Sequence, residues 1–153
     1  MNIRTATEND AEALVDFNQA MAMETEGKML DRDTLAKGVR AVFDDPGKGF
    51  YVVAEQGGQI SGGLMVTYEW SDWRNGWFWW IQSVYIRPEA RGRHIYSKLY
   101  GFVREKAEKE NVCGFRLYVE KDNEHAKKVY EKLGMKETYY LLYEQTKKSG
   151  SPD

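Results

Sequence analysis

All five tryptophans of this 153-residue chain (Trp70, Trp73, Trp77, Trp79 and Trp80) fall between positions 70 and 80, around the dipeptide Asn75-Gly76. Asn-Gly readily takes the two positive-φ positions of a tight turn and is the strongest short-range hairpin signal. Two aromatic-rich runs on either side of it therefore read as paired antiparallel strands. With a two-residue turn, Arg74 pairs with Trp77 and Glu69 falls opposite Gln82, their Cβ atoms about 4.5–5.5 Å apart. Side chains alternate along a strand. Ser71, Trp73, Phe78 and Trp80 then share the face of Glu69 and Gln82, while Trp70, Asp72, Trp79 and Ile81 take the other. Trp77 sits at the turn. A slip of one residue would exchange the faces.

The rest of the chain alternates strand and helix signals. Residues 2–6 read as a short strand, and Thr7 with Glu8, Asp10 and Glu12 opens a helix carrying Ala11, Leu14, Val15, Ala20 and Met21. Asp33 is placed to cap a second helix through Leu35, Val39, Val42 and Phe43. Residues 50–55 form an apolar strand, turning at Gly57-Gly58 into a strand over 59–68. After a strand ending at Pro88, residues 95–110 are helical with Ile95, Leu99, Phe102, Val103 and Ala107 inward. A half-buried strand covers 114–120, Asn123 caps a last helix closed by Gly134, and 136–143 reads as a final strand. The order is β-α-α-β-β-β-α-β-α-β, with no repeat, linker or second domain.

Composition narrows the class. Hydrophobic residues at 42% and charged residues at 30% exclude a disordered chain, and no window approaches the ~20 apolar residues of a membrane span. A net charge of -2 excludes a strongly basic nucleic-acid binder. Charge is unevenly spread: residues 1–45 hold ten acids and five bases, residues 87–136 thirteen bases and eight acids. Cys113 is the single cysteine, so no internal disulfide or cysteine-rich zinc site is available, and it reads as a small core residue in a reducing compartment. No signal peptide is evident. The expectation is a cytoplasmic protein with no membrane or nucleic-acid partner and no metal.

Arg91-Gly92-Arg93-His94-Ile95-Tyr96 lies between a strand and a helix, where backbone N–H groups and the positive end of the helix dipole suit a pyrophosphate. Arg87 and Lys98 add charge. Val84-Tyr85-Ile86-Arg87-Pro88 followed by Arg91-Gly92-Arg93, with Asn123-Glu-His-Ala126-Lys-Lys-Val-Tyr130-Glu-Lys-Leu-Gly134-Met further on, resembles the GNAT superfamily of acyl-CoA-dependent N-acetyltransferases. The resemblance covers nearly the whole chain. It implies an α/β (α+β) fold with a central mixed, mostly antiparallel twisted sheet of six to seven strands flanked by about four helices. Residues 1–146 would be one N-acetyltransferase (GNAT) domain and 147–153 a disordered C-terminal tail.

The same resemblance implies acetyl-CoA as co-substrate. Ser83, Val84 and Ile86 would contact the pantetheine arm and the acyl carbonyl, and Asn123 the pantetheine. The pyrophosphate would be held by Arg91, Gly92, Arg93, His94, Ile95 and Tyr96. His94 and Tyr96 stand where the family has small residues that let the backbone approach the phosphates. Tyr130 stands where the family places the acid that protonates the departing thiolate. Where many members carry a strand glutamate, this chain has Gln82, so Glu69 becomes the candidate base, directly or through water held by Gln82, with an exposed hairpin carboxylate as the competing reading.

Nothing in a motif names the acceptor. Aromatic rings beside carboxylates attract cations, so Glu24, Glu26, Trp73 and Trp80 are candidate contacts for a small cationic amine. Three alternatives stay open: a peptide N-terminus or lysine as acceptor, a degenerate CoA-binding protein without turnover, and a homodimer seam built on the exposed aromatics.

Overall fold

The computed structural model describes residues 1–147; residues 148–153 of the expected tail lie outside the described residues. The chain divides into two units, Met1–Tyr118 and a second beginning at Val119.

The first unit is built on β1 (Asn2–Thr5), α1 (Ala11–Glu26), α2 (Arg32–Asp44), β2 (Phe50–Gln56), β3 (Gln59–Ser71), β4 (Gly76–Ile86), α3 (Ile95–Ala107) and β5 (Val112–Leu117). The five strands form one sheet in the order β1-β2-β3-β4-β5. The first four are antiparallel neighbours and β5 runs parallel to β4. This is a mixed, mostly antiparallel sheet, as expected, with five strands among the described residues rather than six or seven.

Alternation along the strands supplies two cores. Tyr51, Val53 and Tyr85 pack with Leu14, Val15, Phe17 and Val39 of α1 and α2. Val52, Leu64, Val66 and Ile81 are buried on the opposite face, as are Ile95, Leu99 and Val103 of α3. Helix α1 begins beyond a short 3-10 turn, Glu8–Asp10, in which the Asp10 carboxylate accepts from the Thr7 N–H at 2.8 Å. It ends at Gly27, whose φ of 63° suits glycine. Asp31, not Asp33, caps α2 by accepting from the Thr34 N–H at 3.2 Å. Asp33 instead stands in the first turn and pairs with Lys37 at 3.1 Å.

The hairpin departs from the expected register. Trp70 pairs with Trp77, and residues 72–75 form the turn. Asn75 does take positive φ, at 50°. Gly76, however, serves as the first residue of β4, because the entry to β5 crowds it. A Cβ there would lie 3.3 Å from Cys113 Cβ, the Trp77 N–H donates to the Asn111 carbonyl, and the Asn111 side chain donates to the Asn75 carbonyl. Asp72 accepts from the Trp73 N–H and stabilises the longer turn. Glu69 therefore sits opposite Phe78, and Gln82 opposite Met65. The slip moves partners by an even number of positions, so the face assignments of Glu69, Phe78, Trp80 and Gln82 survive. Trp73 leaves the sheet for the turn, and Trp77 leaves the turn for β4. Cys113 is exposed at an irregularity in the β4–β5 pairing rather than buried in the core.

In the second unit α4 (Glu124–Lys132) is capped by Asn123, whose Oδ1 accepts from the Ala126 N–H at 3.1 Å. Gly134 closes it at φ 94°, with the Met135 N–H donating to the Tyr130 carbonyl. Residues 136–143 form no strand. They show the apolar content of one, yet Tyr139, Leu141, Leu142 and Tyr143 stand exposed.

Candidate active site

The site begins with a bulge. Between the pairs Met65–Gln82 and Gly63–Tyr85, β4 has two residues, Ser83 and Val84, opposite the single Leu64. Ser83 absorbs the mismatch in the left-handed region, at φ 52°. Bulges bend a strand and re-aim its groups. This one resets the alternation, so that Gln82 and Tyr85 both face α1 although three positions apart.

The bulge coincides with the end of β5. The β4–β5 ladder stops at Ile81–Leu117, whereas β3 stays paired with β4 as far as Ile86. From Gln82 onward, the edge of β4 away from β3 has no partner in β5. Its main-chain N–H and C=O groups, those of Ser83, Val84 and Ile86 included, are the kind that bind an extended, amide-bearing arm by strand-like hydrogen bonds.

Just past β4, a 3-10 turn at Pro88–Ala90 leads into the loop 91–94. Gly92 and His94 both have positive φ, 81° and 60°, and His94 is the N-cap of α3 without a side-chain cap bond. The Lys98 N–H donates to the His94 carbonyl, closing the first turn of the helix. The N–H groups of Ile95 and Ser97 ahead of it are among those that a helix start leaves without an intrahelical carbonyl. Arg91, Gly92, Arg93 and His94 are exposed and Ile95 is buried. Tyr96 lies half-buried along α3, stacked on Tyr100 with ring centroids 6.1 Å apart.

Glu24 reaches this loop from the last turn of α1. One of its oxygens accepts from Arg91 Nη2 at 2.8 Å and the other from the Tyr85 hydroxyl at 2.5 Å. Those two donors, Tyr85 first, hold its carboxyl below the usual range. Glu26 pairs with Lys28 at 3.6 Å. Neither Tyr85 nor Arg91 shows in the sequence as a partner of Glu24, since more than sixty positions separate them.

On the same sheet face, Glu69 Oε1 accepts from Trp80 Nε1 at 2.8 Å and from Arg116 Nη1 at 2.9 Å. These donors, Trp80 first, keep the Glu69 carboxyl low. Arg116 lies on the Phe78 ring, 3.6 Å from its centroid. Gly114 is what lets the ring lie there, because a Cβ at that position would stand 2.7 Å from Phe78 Cε1. Gln82 donates its amide to Thr67 Oγ1. The structure thus joins Glu69 to Trp80 and separates it from direct pairing with Gln82. Trp73 is 88% exposed in the turn. Thr67 and Arg116 were not legible as site residues, and a parallel neighbour such as β5 leaves no turn signature that would reveal Arg116.

In the second unit, Asn123 Oδ1 accepts from the Ala126 N–H and caps α4. Tyr130 is half-buried, and burial pushes its phenol above the ordinary value.

Residues 12–135 match the acetyltransferase (GNAT) family. The chain belongs to that family. It is similar to the crystal structure of a possible acetyltransferase from Clostridium difficile 630, with 45% identity and a TM-score of 0.89 over 97% of this chain and 98% of that one. A predicted acetyltransferase from Clostridium acetobutylicum, solved with acetyl-CoA, shares the fold at 20% identity and a TM-score of 0.78, over 94% and 95% of the two chains. The mycothiol acetyltransferase of Corynebacterium aurimucosum is 27% identical over 128 residues, which are 82% of this chain. This GNAT chain spans only 42% of that relative's length. Among the described residues, no helix is long and apolar enough to cross a membrane.

Proposed function

We propose that this GNAT protein transfers the acetyl group of acetyl-CoA to a primary amine, most simply a small cationic metabolite, by direct attack in a ternary complex. One observation carries the reading: the bulged stretch of β4 from Gln82 to Ile86 loses its β5 neighbour beside the positive-φ loop that opens α3. These residues fit acetyl-CoA. Ser83, Val84 and Ile86 offer main-chain groups to the pantetheine arm, and the loop from Arg91 to Tyr96 offers N–H donors and guanidinium charge to the pyrophosphate. Asn123 offers its side-chain amide to the pantetheine.

Acetyl-CoA supplies an acyl group already activated as a thioester. The chain must do three further things. A main-chain N–H of the open β4 edge stabilises the negative charge that develops on the carbonyl oxygen. The acceptor must arrive unprotonated, against an amine pKa of about 10.4. The new C–N bond forms as the C–S bond breaks, and Tyr130 gives its phenol proton to the departing thiolate while the amine proton leaves to water. Support for Tyr130 comes from its place in the family motif, and a phenol with a pKa of about 10 carries its proton at neutral pH.

Glu69, whose charge is already engaged by Trp80 and Arg116, serves this reading better as the residue that fixes that aromatic wall than as the base. Glu24 and Trp80 lie on the acceptor side. The lone thiol of Cys113 fits a cytoplasmic setting. Residues 1–146 are taken as one functional domain. A second reading, a homodimer seam, is favoured by the exposure of Trp70 and Trp77, 46% and 41%.

Thermal denaturation with and without acetyl-CoA, followed by thiol release across a panel of amines, tests the proposal. Acetyl-CoA should raise the melting temperature, small cationic amines should release CoA, and Tyr130→Phe should depress kcat. No stabilisation by acetyl-CoA would overturn the reading, and stabilisation without turnover on any amine would leave a binding protein.

A further inference from the structure

The last turn of α1 carries two acids, Glu24 and Glu26, where the helix dipole opposes negative charge. Glu24 is held there by groups remote in sequence: both of its oxygens are used, one by Arg91 and the other by Tyr85. Arg91 is held just as closely. Its Nε donates to the Ile86 carbonyl at 2.9 Å, its Nη2 donates to Glu24, and its guanidinium lies 5.5 Å from the centroid of the Tyr85 ring. A guanidinium has five N–H donors, more than the bonds to Ile86 and Glu24 use, and Tyr85 stands beside it as a further partner. Arg91 is the first residue of the loop that the acetyl-transfer reading gives to the pyrophosphate, and Glu24 is a carboxylate that the same reading gives to a cationic acceptor. A single ion pair therefore joins the two half-sites.

We propose that Glu24 couples the two substrates. In the free protein Arg91 neutralises it; when a pyrophosphate takes up the charge of Arg91, Glu24 is left as an anionic seat for the cationic end of the acceptor. The inference rests on the acetyl-transfer reading and adds to it. It assigns Glu24 as a positioning and specificity residue for a positively charged amine. Coupling of this kind is reciprocal, so Glu24 must hold back CoA to the degree that CoA favours the acceptor.

Titration calorimetry with CoA alone tests this without any acceptor. Glu24→Gln keeps an oxygen able to accept from Arg91 or Tyr85 and removes the charge. It should bind CoA about fivefold more tightly than wild type at low ionic strength. The difference should shrink at high salt, where charges are screened, and vanish on an Arg91→Gln background. Glu24→Asp, which keeps the charge, should behave as wild type. In turnover, Glu24→Gln should raise KM for a cationic amine and leave kcat nearly unchanged, with Glu24→Asp restoring KM. Wild type that fails to bind CoA would overturn the acetyl-transfer reading. CoA binding by wild type with equal or weaker binding by Glu24→Gln would overturn the coupling alone.

Discussion

Replacing His94 with glycine isolates the conformational cost of the loop that opens α3. His94 has φ 60° and ψ 27°, makes no side-chain cap bond and is exposed. A residue with a Cβ loses roughly 1–2 kcal/mol in the left-handed region, a penalty glycine escapes. Glycine gives back about 0.4–1 kcal/mol through the greater freedom of the unfolded chain. The net expectation for His94→Gly is stabilisation of about 0.5–1 kcal/mol, or about 1–4 °C in melting temperature for a chain of this size. Because the imidazole is exposed, removing it opens no cavity that would mask the gain. His94→Ala is the control: it deletes the same ring but keeps the Cβ, so it should melt at or below wild type. Scanning calorimetry of the three proteins measures the order, with glycine highest. The bare loop should also bind CoA more tightly by calorimetric titration, since glycine lets the backbone approach a phosphate more closely. Equal shifts for Gly and Ala, or glycine melting lowest, would show that backbone strain at His94 is not what the loop stores.

Arg4 and the Thr7 N–H hold the carboxyl of the buried Asp10 below its ordinary value, the Arg4 bonds at 2.7 and 3.0 Å contributing first. A folded-state pKa depressed below the unfolded value of about 3.9 gives stability that is complete above that value and is lost as pH falls through the folded one. Asp10→Asn should therefore cost about 1.5–3 kcal/mol at pH 7, and urea melts should show the gap to wild type closing below about pH 4. An unchanged gap there would assign the loss to packing. Gly49, at φ 147°, lies so close to β3 that a Cβ would stand 2.1 Å from the Val66 carbonyl oxygen. Gly49→Ala should lose about 3 kcal/mol or more, with a melting temperature lower by about 6 °C or more. A melting temperature within a degree of wild type would refute the contact.

Local rules made much of this fold readable. The alternation of β3 and β4 was legible because side chains repeat every two residues, and an even slip in register preserves that parity. The anion loop was legible because a strand, a glycine and a helix start follow one another directly. Register was not, because Gly76 is claimed by Asn111 and Cys113, which approach from a strand thirty-odd residues later. The short thiol of Cys113 was expected in the core and is exposed for the same reason: it is the extra residue where β5 settles beside Trp77 and Phe78. The stretch 136–143 shows the limit of composition, since apolar content alone does not make a strand.

The tryptophans that crowd the hairpin divide by what covers each face. On the α3 side, Phe50 packs edge-on against Trp79 at 5.2 Å and Lys106 lies over Phe50 at 5.2 Å, so Trp79 is 3% exposed. Further out, Trp70 and Trp77 meet edge-to-face at 4.9 Å and remain open to solvent. The opposite face is handled differently. Near the bulge α1 covers it through Phe17, whose ring lies 5.3 Å from that of Tyr85. Beyond, the same face turns polar, and Trp80 spends its N–H on Glu69 while its ring meets Tyr118 at 4.8 Å. A tryptophan anchored by its nitrogen keeps its orientation without a covering helix, which suits the acceptor-side role proposed for Trp80. The ion pair of Glu69 with Arg116 follows from the same demand: a carboxylate placed to hold an indole is screened by a neighbouring guanidinium, and its lowered pKa makes it a poorer proton acceptor. On the reading proposed above, deprotonation of the amine is left to solvent, and the hairpin contributes shape and charge.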